Sequence, residues 1–440
     1  MTAYYSKRAI KRRRAVILRY LERRQLYPFR VTAEPSADLG LVVVIPCFDE
    51  PDVARTLTSL AACDPPGCDV EIIVVVNAPE GASLSAMANN ELAIAQIDVA
   101  TKNNGRAWLR FYGLQHDPLP VRHAGVGLAR KIGMDEAAGR IACSQRCDGV
   151  IVSLDADCVV AKDFLYALRQ EFDAHESCPG LSIYFEHLVS GDASDPMQSA
   201  MVNYELYLRY YVFGQRIAKF PYAFHTIGSA MACRGWTYAA QGGMNRRQGG
   251  EDFYFIQKLI ALGGYRAMNA TTVYPGTRRS SRVPFGTGPA IVNAMDRQAD
   301  LMTYAPEVFH DLGRFCATVF DTTPKNLGRV VAGLPQPLSQ FLEAHDFGDR
   351  LREIEANVSS VGAFRKRIFR WFNAFRFMKF AQFASREYYP RILVADAAWQ
   401  LAASVGSVGP DEPSDPAFML SRYRQLDKQA VPHEIFQDLR

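Results

Sequence analysis

The chain has 440 residues, 48% hydrophobic and 22% charged, with no low-complexity tract, which excludes a disordered protein and a disulfide-stapled mini-protein. At roughly 100 to 200 residues per domain it allows two or three domains. The net charge of +4 hides an asymmetry: residues 1–30 hold ten Lys or Arg against the single acid Glu22, while the remainder carries 40 basic and 45 acidic residues, unlike a uniformly basic nucleic-acid binder.

Taken in chain order, the first element is a basic N-terminal helix or arm over 1–35, too charged to be a signal peptide. The run Leu41 to Ile45, stopped by Pro46, predicts a strand buried on both faces. A helix over Asp52 to Ala62 follows, then a second β-branched run, Ile72 to Val76, ending at Asn77. Ala82 to Ile97 predicts a helix, Trp108 to Tyr112 a strand, Gly125 to Ala138 a helix and Val150 to Leu154 a strand closing on Asp155. This alternation predicts an α/β domain with a parallel sheet and helices on both faces. Ligands of such sheets sit beyond the carboxyl ends of the strands, which puts Pro46 to Glu50, Asn77, Asp155 and Asp157 on one rim.

Pro196 to Gly214 reads as an aromatic-rich helix, Phe224 to Gly264 is rich in glycine, and from about Asp296 onward the pattern is helical. The expected organisation is therefore the arm at 1–35, a catalytic-type domain at 36–295 and a mainly helical region at 296–440. The nine cysteines are scattered without C-x-x-C spacing, as expected of buried reduced thiols rather than a zinc site. No apolar run reaches the roughly 18 to 20 residues of a membrane span. The expected location is cytoplasmic, with a peripheral position at the inner face of the membrane as an extension.

Four constellations could carry chemistry. Asp155-Ala156-Asp157 leaves a strand with two carboxylates at i and i+2, which can share one hard cation, Mn²⁺ or Mg²⁺; the plain alternative is a turn. Glu251-Asp252 follows Gly249-Gly250, and a carboxylate there could take a proton from an attacking hydroxyl or merely complement a helix dipole. Arg278, Arg279 and Arg282 form a basic loop between Gly276 and Gly288 that could close over a diphosphate or lie in solvent. Arg130, at the start of a helix with small residues nearby, could face the same anion or lie on the surface.

These segments give the chain a family resemblance. VVVIPCFDE, GVGLARKIGMDEA, IVSLDADCVVAKDF and SAMACRGWTYAAQGGMNRRQGGEDFYF resemble, in order, the first strand, the G-x-x-x-A-R-N helix, the metal-binding segment and the acceptor segment of GT-A fold, family 2 type glycosyltransferases, the last in its galactosyltransferase-like GGED form. The resemblance covers about Leu41 to Gly288. It implies a Rossmann-like, doubly wound, mostly parallel sheet and transfer of a sugar from a nucleotide-diphosphate sugar, a UDP-sugar being favoured, to a hydroxyl acceptor with inversion. It further implies a metal on Asp155 and Asp157, Asp252 as general base with Glu251 binding the acceptor or orienting its neighbour, and nucleotide contacts from Pro46, Phe48, Glu50 and Asn77. The chain departs from the family's pattern at Asn77, where aspartate is usual, and at Lys131, where asparagine is usual. The implied acceptor is a glycan, a lipid-linked molecule or a small molecule, and no nucleic acid is expected as partner. The rival reading is a non-catalytic sugar-nucleotide-binding module acting through its helical C-terminal region. The eight aromatics between Phe364 and Phe383, interleaved with Arg and Lys, suit either an interfacial helix or a packed one, so membrane contact through 1–30 and 364–383 stands as an expectation.

Overall fold

The computed structural model describes residues 7–189, 195–277, 301–322, 331 and 333–429. The chain forms two compact units, Met1–Leu188 with Thr226–Pro289, and Val189–His225 with Ala290–Arg440.

The first unit is built on one sheet. Its strands among the described residues are β1 (Leu39–Cys47), β2 (Asp69–Pro79), β3 (Leu109–Leu119), β4 (Val150–Ser153), β5 (Val159–Val160), β6 (Gly180–Phe185), β7 (Met231–Arg234) and β8 (Arg266–Tyr274), in the order β3-β2-β1-β4-β7-β6-β8-β5. β1 pairs in parallel with β2 on one side, Val43 opposite Ile72, and with β4 on the other, Val43 opposite Val152. Buried by helices on both faces, these strands are largely apolar, as parallel strands are, with the one buried carboxylate of β2, Glu71, paired to Arg140. The sheet is mixed, however, because β7 runs antiparallel to β4 and β6, and β5 antiparallel to β8. Apolar runs do not encode direction, and the chain reaches β7 through a segment of the second unit rather than through a short crossover helix.

The helices of this unit are α1 (Lys7–Arg24), α2 (Val53–Ala61), α3 (Leu84–Asn103), α4 (Val126–Cys143) and α5 (Phe164–Ala174), followed by α7 (Gly235–Ala240) and α8 (Glu251–Ile260). Every residue of α4 from Gly127 to Ala142 is buried. Its inner face lies directly on the sheet: a Cβ on Gly133 would stand 2.4 Å from Val44 Cγ1 and 2.9 Å from Val75 Cγ2. Its outer face is covered by α1, which also packs on α7 and buries Ile17, Tyr20 and Leu21. The basic N-terminus is thus a packed helix rather than a free arm.

The second unit holds α6 (Pro196–Ile217), α9 (Glu307–Asp321), α10 (Gln336–Glu343), α11 (Phe347–Ala356), α12 (Val361–Trp371), α13 (Ala374–Glu387), α14 (Val394–Ser404) and α15 (Pro416–Gln429), with a short antiparallel pair, β9 (Met302–Thr303) and β10 (Ile392–Leu393). The aromatic stretch 364–383 is two helices, broken where the Asn373 side chain caps α13. Phe364, Phe369, Phe372, Phe377 and Phe380 are fully buried, so its apolar face is spent on the unit's own core. α6 is joined to α15 by a buried ion cluster: Arg209 bonds Glu205 at 2.8 Å and Asp427, Arg216 and His225 also reach Asp427, and Arg424 bonds Glu205 at 2.7 Å. Burial alone would raise the Asp427 carboxyl, but Arg216, His225 and Arg209 outweigh it and hold the group far below its ordinary value. No described helix is long and apolar enough to cross a membrane.

Candidate active site

The loop after β1 turns at Asp49, whose φ of 52° lies in the left-handed region. Asn89 and Asn90 on α3 hold it: Asn90 Oδ1 accepts from the Asp49 N–H at 3.0 Å, and Asn89 Nδ2 donates to Asp49 Oδ1 at 2.8 Å. Asn90 Nδ2 also donates to the Asn77 carbonyl at 3.0 Å, so one side chain ties the β1 loop to the end of β2. The predicted nucleotide-contact residues divide. Pro46 and Phe48 are half-buried on the rim, whereas Asn77 is buried and Glu50 is 1% exposed, its Oε1 accepting the Asp52 N–H at the start of α2. Glu50 therefore shapes the loop from within.

Beyond β4 the chain makes a tight turn in which the Cys158 N–H donates to the Asp155 carbonyl at 3.2 Å. Thr56 of α2, fully buried, donates its hydroxyl to the Ala156 carbonyl at 2.7 Å. Ala156 and Cys158 point inward, while Asp155 and Asp157 are half-exposed, so the alternation presents both carboxylates outward. Asp157 lies over the backbone just after β8, where a Cβ on Gly276 would stand 2.7 Å from Asp157 Oδ2. Arg278, Arg279 and Arg282 lie outside the described residues. Asp163 accepts a hydrogen bond from the Thr271 hydroxyl at 2.6 Å, joining α5 to β8.

Arg130, one turn before Gly133 on α4, is 3% exposed and joins the other motifs. One guanidinium nitrogen bonds Asp155 Oδ1 at 2.5 Å and the other bonds Glu251 Oε1. Burial would lower its pKa, but the carboxylates of Asp155, Glu251 and Asp252 outweigh that and raise it, so it stays cationic. Glu251 and Asp252 open α8, entered through Gly250 at φ 69°, a conformation glycine adopts without strain. Asp252 Oδ2 accepts the Gly228 N–H at 2.8 Å and Oδ1 the Phe253 N–H at 2.7 Å. Burial pushes both carboxyls up, against the pull of Arg130.

Sequence reasoning missed Gly228. A Cβ there would lie 2.2 to 2.6 Å from the Arg130 guanidinium atoms, while its N–H holds Asp252. Gly228→Ala is expected to displace Arg130 and to lower transfer by about tenfold or more, since misplacing a positioned group by ~1 Å costs up to ~100-fold. Unchanged turnover in that variant would show that Arg130 moves without consequence. The signal was present only as glycine density in the stretch from Phe224.

The loop into α8 is pinned from two sides. Gln248 Nε2 donates to the Val121 and Ala124 carbonyls at 3.1 and 3.3 Å, and a Cβ on Gly127 would stand 2.2 Å from the Arg247 carbonyl oxygen. On the other side a Cβ on Gly243 would stand 1.9 Å from the Tyr20 hydroxyl of α1. Lys131 turns to that side, donating to Asp135 at 2.9 Å and to Tyr20 at 2.7 Å, while Tyr20 and Tyr238 both donate to Asp135. This buried network accounts for a lysine where the resembled motif has asparagine.

Among the described residues no group of three or more His, Cys, Asp or Glu gathers as a metal cage. The pair Asp155 and Asp157 still fits a hard cation that keeps water and phosphate oxygens in its shell, because the Asp155 side chain is 39% exposed despite its bond to Arg130.

The mixed α/β sheet with its carboxylate rim is the part of the chain that resembles known glycosyltransferases. The model of Glycosyl transferase family 2 matches residues 42–237, which span the sheet from β1 to β7. Among curated proteins none matches significantly. Solved structures similar to the chain include TarS 1-349 of S. aureus with UDP-GlcNAc, 13% identical with a TM-score of 0.40, covering 76% of this chain and 92% of that one. They also include the mannosyltransferase PcManGT of Pyrobaculum calidifontis with GDP-Man and Mn2+, 13% identical with a TM-score of 0.35, covering 82% of this chain and 96% of that one.

Proposed function

We propose that the chain moves a sugar from a nucleotide-diphosphate sugar, a UDP-sugar in the favoured case, to a hydroxyl acceptor by a single inverting displacement that depends on a divalent metal. The observation that carries this reading is Arg130, which draws Asp155, more than twenty residues away, and Glu251, more than a hundred away, onto one guanidinium beside Asp252. Asp252 accepts the acceptor's proton as its oxygen attacks the anomeric carbon, and the bond from that carbon to the diphosphate breaks with its electron pair. Burial raises the Asp252 pKa, which makes the carboxylate a stronger base than an exposed one. Glu251 orients the acceptor side of the site through Arg130. Asp155 and Asp157 would hold Mn²⁺ or Mg²⁺, which offsets the charge of the departing diphosphate. Pro46 and Phe48 line the nucleotide side of the rim, with Asn77 buried behind it, and Arg278, Arg279 and Arg282 supply further cations to the diphosphate. The acceptor is a glycan, a lipid-linked molecule or a small molecule.

Calorimetric titration with UDP-, GDP- and TDP-sugars, with and without Mn²⁺, tests the donor half. One donor is expected to bind only with metal, and Asp157→Ala to lose that binding. Metal-independent binding, unchanged in the variant, would remove the metal role; no binding by any donor would favour a non-catalytic module acting through the C-terminal helices.

A further inference from the structure

We propose that the outward face of α1 is a docking surface for an anionic lipid bilayer. The inner face of the helix is committed to the first unit: Ile17, Tyr20 and Leu21 are buried, Arg14 donates to the Ser144 carbonyl at 2.8 Å, and Arg13 lies over the Trp236 ring. This packing fixes which side faces solvent. Arg8, Lys11, Arg12, Arg19 and Arg23 are exposed there, and no acidic side chain among the described residues forms an ion pair with them. Glu22 is the one acid of the helix. Five cations against that single acid on one face of a rigid helix fit a plane of lipid phosphates.

Exposed apolar groups near the stripe favour a bilayer over a nucleic acid. Leu18 is 50% exposed at the edge of the basic stripe, and Leu26 and Phe29, just beyond the helix, are 43% and 45% exposed. The Phe29 ring is held against α4, where a Cβ on Gly139 would meet it at 2.3 Å. Cations with interspersed Leu and Phe suit the boundary between headgroups and acyl chains. A phosphodiester backbone offers nothing to the leucines. The stretch 364–383, whose apolar face is buried, takes no part.

This surface is independent of the transfer reaction, and its test reads binding alone. The full chain is sedimented with vesicles of phosphatidylcholine and phosphatidylglycerol in equal parts, and with phosphatidylcholine alone. Binding is expected only to the mixed vesicles, weakened by salt and not competed by inorganic phosphate at the same ionic strength. Each cation near an anionic surface is worth roughly fivefold, so Arg12→Gln with Arg19→Gln should weaken partition roughly thirtyfold. Replacing Arg8, Lys11, Arg12, Arg19 and Arg23 together should weaken it by roughly three thousandfold. Leu18→Ser with Leu26→Ser should weaken it roughly tenfold at unchanged charge. Wild-type protein that stays in the supernatant overturns the proposal. So does binding of an RNA duplex at least as tightly as mixed vesicles, with no effect of the two leucine substitutions on either. Unchanged donor binding and melting temperature in the variants show that the losses are not unfolding.

Discussion

Asp252→Asn is expected to lower turnover by about 100- to 10,000-fold, the range a positioned general base supplies, while the donor dissociation constant stays within about twofold of wild type. The chemistry behind this is specific. Both oxygens of Asp252 already accept backbone N–H groups, from Gly228 and Phe253, and what remains for catalysis is the negative charge and the free lone pairs. An amide keeps the shape, loses the basicity and sets an NH2 against one of those N–H donors. That mismatch costs on the order of 1 to 3 kcal/mol, so the melting temperature is measured beside the rate. In the wild type, burial holds the Asp252 carboxyl above its ordinary value. As the proposed base it must be ionised, so transfer is expected to fall as pH drops through that raised value, a limb the variant should lack. Transfer by Asp252→Asn at the wild-type rate would remove the residue from the proton path.

Arg130→Met should cost more than activity. Glu251 is 1% exposed and would be left buried without its countercharge, and Asp155 would lose its tether. Breaking a buried pair by removing one partner costs roughly 3 to 5 kcal/mol. The unfolding midpoint should fall accordingly, together with donor binding. Arg130→Lys should rescue little, because a single ammonium cannot span two carboxylates as the planar fork does. Adding Glu251→Gln to Arg130→Met should restore part of the stability without restoring transfer, a coupling that a double-mutant cycle measures. If Arg130→Met melts with the wild type, the bridge contributes nothing to the folded state.

The first half of the fold was readable because its strands are buried on both faces. β1 is an apolar run, and β2 and β4 carry the runs Ile72–Val76 and Val150–Val152, whose ends mark the edge of the sheet. β7 was not readable. It is four residues long and ends in Arg234, a side chain that is 1% exposed because it donates to the carbonyls of Asp148, Phe172, His175 and Cys178. A buried arginine spent on backbone carbonyls resembles a surface residue in sequence. Arg130 and Asp155 were named as candidates, but their direct bond depends on how closely α4 approaches β1, which Gly133 permits and spacing does not encode. Lys131 looked like a defect in a motif because its partner Tyr20 lies 111 positions earlier. Gly228 and Asn90 position the site without a charge or a motif to mark them.

Chain connectivity bears on how the protein is made. The segment Val189–His225 belongs to the second unit, yet it is translated between β6 and β7 of the first. A ribosome therefore delivers α6 before the sheet has its strand beside β4, and delivers α15, the ion partner of α6, some two hundred residues later. Neither unit can close until the other has begun, and no single cut of the chain releases either one whole. The nascent chain must hold the edge of β4 uncovered until β7 is made, and Arg209 with Glu205 but not yet Asp427 until α15 follows, the kind of exposed intermediate that chaperones attend.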